Sequence, residues 1–195
     1  TAAHGMEKAR GKDFAKGTVA TLGDSTFIHS GITGLIDVVY NKGISTLMIM
    51  DNSITGMTGH QQNPTTGITI KGEPTIQVDI EKLCHAVGIE RVRVVDPFNL
   101  AEFEQVLIEE TKADEPSVII SRRPCALLKG VNYGGALEID IEKCKKCRKC
   151  LKLGCPAILD RGDHIEINEA LCVGCGLCKE VCSFGAIEKA GENNG

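Results

Sequence analysis

The sequence predicts a doubly wound α/β domain with a parallel sheet, followed by a small α+β unit organised on cysteines. Between Gly17 and Ser121, short apolar runs alternate with longer stretches of helical apolar spacing. Strand and helix in alternation argue a parallel sheet with helices on both faces. Eight of the ten cysteines fall in the last third of the chain, in two runs that repeat in register, which is an internal duplication.

The elements follow in order. Thr18 to Leu22 reads as a buried strand ending at Gly23. Ile28, Ile32, Leu35, Ile36 and Val39 recur at helical spacing, and Gly43 stops that helix. Ser45 to Met50 is a second strand. Residues 51–75 carry Gly56, Gly59, Pro64, Gly67, Gly72 and Pro74 with no sustained apolar period. They read as a long loop, and such loops inside compact domains are usually functional. Asp79 to Val87 is predicted helical with Asp79 as N-cap. Val92 to Val95 is a strand, Leu100 to Lys112 a helix, and Ser117 to Ser121 the next strand. Arg122 to Ala136, with Pro124 and Gly134-Gly135, reads as connecting chain. The predicted domains are 1–124 and 137–195, with a linker at 125–136.

Composition removes several function classes. A net charge of −4 argues against a nucleic-acid surface, which needs a basic patch, and the few aromatic residues offer no stacking platform. No apolar run of about 18 residues is present for a membrane helix, and no charged n-region precedes an apolar stretch as in a signal peptide. Cysteines in two registered runs without secreted flanks read as thiols that must stay reduced, so the expected compartment is the cytoplasm. The chain begins at Thr1 rather than methionine, which reads as a processed or cut chain, or part of a longer polypeptide.

Cys144, Cys147 and Cys150 form a C-x2-C-x2-C run, followed by Cys155 and Pro156. Cys172, Cys175 and Cys178 repeat it 28 positions on, with Cys182 as the counterpart of Cys155. A cubane [4Fe-4S] cluster needs one thiolate per iron, and such a turn wraps three thiolates around one face. Zinc sites use separated C-x2-C pairs, which triplets fit poorly. A disulfide framework belongs to secreted chains, and the flanks have no secreted character. Ala136 to Lys189 resembles bacterial-type 2[4Fe-4S] ferredoxins. It departs in an extra residue before Cys155 and in Ser183, where a proline usually follows the last cysteine. In two-cluster ferredoxins the last cysteine of each run ligates the other cluster. The expected sets are Cys144, Cys147, Cys150 and Cys182 for cluster I, and Cys172, Cys175, Cys178 and Cys155 for cluster II. The basic run Lys143 to Lys152 reads as a solvated face or as a dock for an acidic ferredoxin. Cys84 reads as core, and Cys125, beside Pro124, as no cluster ligand.

The second chemical stretch lies where the first two strands end, at Gly23-Asp24-Ser25 and at Asp51-Asn52-Ser53-Ile54. In open parallel sheets ligands bind beyond the carboxyl ends of strands. A glycine there lets backbone amides approach a phosphate, and Asp24 and Asn52 offer hard oxygens suited to Mg²⁺. A capping Asp in an ordinary strand-to-helix turn is the plainer alternative. The arrangement resembles the thiamine-diphosphate motif, Gly-Asp-Gly closed by an Asn about thirty residues on, with Ser25 replacing the second glycine.

The stretches from Gly23 to Gly31 and from Thr55 to Gln61 further resemble the loops of 2-oxoacid:ferredoxin oxidoreductases, above all the branch acting on aryl pyruvates such as indolepyruvate. There a thiamine domain is fused to a C-terminal two-cluster ferredoxin domain. That resemblance implies Mg²⁺ on Asp24, Asn52 and the Ile54 carbonyl, with the diphosphate on Gly23 and Ser25. It makes His29 and His60 candidate active-site residues. His4, His85 and His164 stand in no motif and read as structural or solvent-facing. It implies oxidative decarboxylation to an acyl-CoA and CO₂, with electrons passed through two clusters to an external ferredoxin. It also implies coenzyme A, a 2-oxoacid and a second (beta) subunit as partners. Thr1 to Arg10 matches a helix in the middle of the thiamine domain, so several hundred residues are expected upstream. The alternatives are another 2-oxoacid (pyruvate, 2-oxoglutarate or a branched-chain acid), or a pure electron-transfer subunit.

Overall fold

The computed structural model describes residues 2–190. Thr1 and residues 191–195, which end the two predicted domains, lie outside the described residues. The chain divides into two compact units between Leu128 and Lys129.

The first unit holds a four-stranded, all-parallel sheet in the order β1-β2-β4-β3. Its strands are β1 (Val19–Gly23), β2 (Thr46–Asp51), β3 (Arg91–Val95) and β4 (Ser117–Arg122). Two helices precede the sheet, α1 (Ala2–Arg10) and the single turn α2 (Lys12–Ala15). After β1 the chain is helical without a break over 24–40: α3 (Asp24–Thr26), a π-turn (Phe27–Gly31) and α4 (Ile32–Tyr40). The remaining helices are α5 (Ile80–Ala86) and α6 (Leu100–Thr111).

Period-2 alternation in the central strands splits the core in two. Ile49, Val118 and Ile120 point to one face and pack with Phe27, Leu35, Ile80 and Cys84 from the π-turn, α4 and α5. Ile119 and Val95 point to the other face and meet Val106 of α6, with Met48 beside them. Right-handed crossovers explain this distribution: the chain steps one way through α4 and α5, then back through α6 on the opposite face. Burial pushes the Cys84 thiol up to about 12, as suits a side chain that only fills the core. Asp79 caps α5 by accepting from the Lys82 amide at 3.1 Å, and Asn99 caps α6 through Glu102 at 3.4 Å.

The second unit is two interlocked repeats. β5 (Leu137–Ile139) pairs antiparallel with β8 (Ile187–Lys189), and β6 (Ile158–Asp160) with β7 (Ile165–Ile167). Each repeat therefore lends its first strand to the other's second strand. A 3₁₀ turn (Cys150–Leu153) in the first repeat stands where the second has α7 (Leu177–Val181). Leu137, Ile158, Ile165 and Ile187 form the core, with Cys150, Cys155, Cys172 and Cys182 packed against it. Among the described residues no helix is long and apolar enough to cross a membrane.

Candidate functional site

β1 and β2 lie side by side with Gly23 opposite Met50, so parallel pairing alone brings Asp24 and the turn 51–54 to one edge of the sheet. Gly23 has φ −76°, a conformation open to any residue, and a Cβ there would meet only the Met50 carbonyl at 4.0 Å. Nothing inside the described residues requires glycine at this position.

Asp24 is 3% exposed. Its Oδ1 accepts the Ser25 amide at 2.8 Å, and its Oδ2 lies 3.4 Å from both the Asn63 amide nitrogen and the Thr65 hydroxyl. Burial holds its carboxyl above the ordinary aspartate value, and the neighbouring Asp51 charge pushes the same way against the Ser25, Asn63 and Thr65 donors. Among the described residues no cation pairs with Asp24. A buried carboxylate with a like charge nearby and no counter-ion is costly, and a divalent cation fits that deficit.

Ser53 adopts φ +61° and turns the chain after β2. Asp51 Oδ1 accepts the Ser53 amide at 3.0 Å and Asn52 Oδ1 the Ile54 amide at 3.2 Å. Asp51 is tied to β4 by the Arg122 Nε–H at 2.7 Å, and the Cys125 amide donates to the Asn52 carbonyl at 3.0 Å. The start of the predicted linker is thus hydrogen-bonded to the site. The Ile54 side chain is buried and anchors the turn. A polar cavity of about 380 Å³ opens alongside, lined by Asp51, Ser53, Thr65, Asp79, Lys82 and Arg122.

His29 is exposed on the π-turn and His60 is exposed at φ +61°. The structure brings neither onto Asp24 by a hydrogen bond; His60 Nε2 lies 4.0 Å from Cys125 Sγ. Sequence reasoning missed Asn63, Thr65 and Arg122 and gave Asp51 no role beyond its place in the turn 51–54. The glycine-rich loop signalled function, but no periodicity marks which of its polar residues turn inward.

In the second unit Cys144, Cys147, Cys150 and Cys182 line one cavity with Ile139 and Ile187. Burial raises the Cys178 thiol to about 11, with Cys175, Cys172 and Cys155 adding like-charge repulsion, so these four form a second group. The Leu137 amide donates to Cys172 Sγ and the Ala186 amide to Cys182 Sγ, each at 3.4 Å. Among the described residues no three side chains converge as ligands of a single ion. Zinc takes sulfurs about 2.3 Å from one centre, whereas a cubane spreads four thiolates over separate irons, a count that each group of four cysteines supplies. Gly154, directly before Cys155, adopts φ +65° and ends the 3₁₀ turn, and Ser183 accepts from Lys149 Nζ at 3.0 Å.

Residues 1–121 match the family described as thiamine pyrophosphate enzyme, C-terminal TPP binding domain. Residues 165–188 match the 4Fe-4S binding domain, which takes in the second cysteine run. Indolepyruvate oxidoreductase subunit IorA of Archaeoglobus fulgidus is 41% identical over 185 residues, 90% of this chain and 29% of that protein. The subunit of the same name from Pyrococcus horikoshii is 38% identical over 184 residues, 89% of this chain and 28% of that protein. The chain therefore spans under a third of the length of these relatives. A solved 2-oxoglutarate:ferredoxin oxidoreductase from Magnetococcus marinus, with 2-oxoglutarate, coenzyme A and succinyl-CoA bound, superposes with a TM-score of 0.57 at 16% identity, over 67% of this chain and 46% of that one. At that identity the likeness is one of fold.

Proposed function

The chain belongs to the thiamine pyrophosphate enzymes by their C-terminal TPP-binding domain, and on that footing we propose that it is the C-terminal part of an indolepyruvate:ferredoxin oxidoreductase. The reaction is oxidative decarboxylation of an aryl pyruvate to its acyl-CoA and CO₂, with electrons leaving through two [4Fe-4S] clusters to a ferredoxin. The observation that carries the reading is the buried, counter-ion-free Asp24 on the same sheet edge as Asn52, in a chain that also holds two groups of four cysteines.

Asp24, the Asn52 amide oxygen and the Ile54 carbonyl would hold Mg²⁺, and the turn at Gly23 and Ser25 would border the diphosphate, although the Ser25 amide itself is held by Asp24 Oδ1 at 2.8 Å. Thiamine diphosphate, when bound, supplies the carbanion chemistry that releases CO₂. Asn63 and Thr65 hold the Asp24 carboxylate in place, and Asp51 with Arg122 fixes the turn that presents Asn52. His29 and His60 line the substrate side. Cys144, Cys147, Cys150 and Cys182 hold cluster I; Cys172, Cys175, Cys178 and Cys155 hold cluster II. Each cluster takes one electron at a time, which matches a two-electron oxidation to a one-electron carrier.

The rest of the cofactor pocket comes from the remainder of the enzyme and a second subunit. Exposed Met57, Ile70 and Ile76 on the loop after β2 suit burial against such a partner. The eight cluster thiolates must stay reduced, which suits a cytoplasmic setting.

Anaerobically purified complex, assayed for iron, sulfide, thiamine diphosphate and Mg²⁺, tests the reading. It should carry about eight iron and eight sulfide per chain together with the coenzyme, and turn over indolepyruvate faster than pyruvate. Zinc in place of iron, or faster turnover of pyruvate, overturns it.

A further inference from the structure

The two cysteine runs share a backbone plan but not a surface. Cys147 and its counterpart Cys175 are each flanked by two residues in the left-handed conformation. In the second run these are Gly174 and Gly176, at φ 70° and 83°; in the first they are Lys146 and Arg148, at 51° and 59°. Glycine enters this region without steric cost, whereas a residue with a Cβ is strained there. Gly174 is required twice over, because a Cβ would run into the Gly135 carbonyl. The first run accepts the strain at both places, and both times the residue is a cation.

The charge extends along the whole loop. Six of the ten residues from 143 to 152 are Lys or Arg and none is acidic, while the equivalent ten, 171–180, carry one Lys and one Glu. All six cations are exposed. Lys143 bonds Asp140 and Glu188, and Arg148 bonds Asp160. Lys145, Lys146 and Lys152 enter no ion pair among the described residues. Cys147, in the middle of this loop, is exposed, whereas Cys175 is partly buried. Solubility alone does not account for the pattern: the chain is acidic overall at −4, and a solvated face gains nothing from cations at strained positions. Such strain clusters at functional sites, though exposed Lys42 after α4, at φ 51°, shows that positive φ alone is not enough; here it coincides with the charge.

We propose that the loop 143–152 is the docking surface for an acidic one-electron carrier protein, so that cluster I is the terminal from which electrons leave. This rests on the reading given under Proposed function. One electron passes from the reduced cluster to the oxidised carrier with no bond made or broken, and two carriers clear the two electrons released per 2-oxoacid. Complementary charge draws the carrier to this face and salt screens the attraction. The exposed Cys147 edge shortens the path once the carrier is seated.

The test uses the complete complex with an acidic ferredoxin and, separately, methyl viologen as acceptors. Lys145→Glu with Lys146→Glu reverses two unpaired charges; Lys145→Gln with Lys146→Gly removes them and relieves the strain at 146. Iron content and the cluster absorption band establish that the clusters remain. The expected result is a rise of about tenfold or more in KM for the ferredoxin, no fall in viologen reduction, and loss of the salt dependence that the parent complex shows. An unchanged ferredoxin KM with intact clusters, or a salt-independent KM in the parent, overturns the proposal. If the complex oxidises no 2-oxoacid, the functional reading fails instead. Titration of oxidised ferredoxin into the same complex then decides the surface alone: binding that weakens with salt and in both variants supports it, and binding equal in all three overturns it.

Discussion

Asn63 reaches from 39 residues down the chain to set its amide nitrogen 3.4 Å from Asp24 Oδ2, and its own Oδ1 is held by the Thr65 amide at 2.8 Å and hydroxyl at 2.6 Å. The carboxylate at the end of β1 is thus positioned by the loop that follows β2. Replacing Asn63 with Ala removes one donor from a buried charge, a loss of about 1–2 kcal/mol. The expected outcome is roughly tenfold weaker binding of thiamine diphosphate with Mg²⁺ to the apo complex, with folding retained. Calorimetric titration checks it, and unchanged affinity would mean that Asn63 does not position Asp24.

The interlocking of the two repeats gives a pairing test for the cysteines. Cys182→Ser combined with Cys147→Ser should lose no more iron than either change alone, about four of eight atoms, because both belong to cluster I. Cys182→Ser combined with Cys175→Ser should lose both clusters. Iron analysis of the four variants reads the result; the opposite pattern would show that each run keeps its own last cysteine.

Glu7 is 3% exposed and accepts the Ile44 amide at 2.9 Å and the Ser45 hydroxyl at 2.5 Å, with His4 Nδ1 3.5 Å away. Burial pulls its carboxyl upward, but the Ser45, Ile44 and His4 contacts outweigh it and leave the group below the ordinary glutamate value. A group depressed in the folded state stabilises above its unfolded pKa and loses that contribution as pH falls through its folded value. Glu7→Gln should therefore cost about 1–2 kcal/mol at pH 7, and the difference should vanish in acid, below the usual carboxylate range. Urea unfolding across pH measures it; a gap independent of pH would sink the assignment.

Arg91 donates to Glu110 through Nε at 2.8 Å and Nη2 at 3.0 Å, and Glu110 is 1% exposed. Removing the arginine leaves a buried carboxylate that pairs, among the described residues, with Arg93 alone, 3.7 Å away and shared with Glu109. Arg91→Ala should destabilise by about 3 kcal/mol. Adding Glu110→Met should restore part of that loss, since a buried pair is often replaceable by apolar packing. Denaturant midpoints of the single and double variants decide it, and an additive double variant would refute the pairing.

Much of this fold was legible because its signals are local. The strand ending at Gly23, the Asp79 cap and the cysteine spacing each act over a few residues, and the expected strands of the first unit fall within a residue of those observed, while the helix after β1 starts at Asp24 rather than near Ile28. The partners of Asp24 were not legible, since Asn63 and Thr65 come from a loop without periodicity and only the folded chain turns them inward. Nor was the left-handed geometry at Lys146 and Arg148, which their side chains disfavour; comparison with glycines 28 positions on was the one available signal. His29 and His60 were singled out by their loops, and the structure leaves both facing solvent.

The π-turn at Phe27–Gly31 has a consequence for chain length. A regular α-helix advances about 100° per residue, so losing one residue from Ile32 to Gly34 would swing Asp24 off the sheet edge or Leu35 out of the core. A π-turn is one residue wider than an α-turn, and a single deletion inside 27–31 would leave both ends in phase. The helix thus contains one joint at which its length can change by a residue without disturbing either the buried face or the carboxylate.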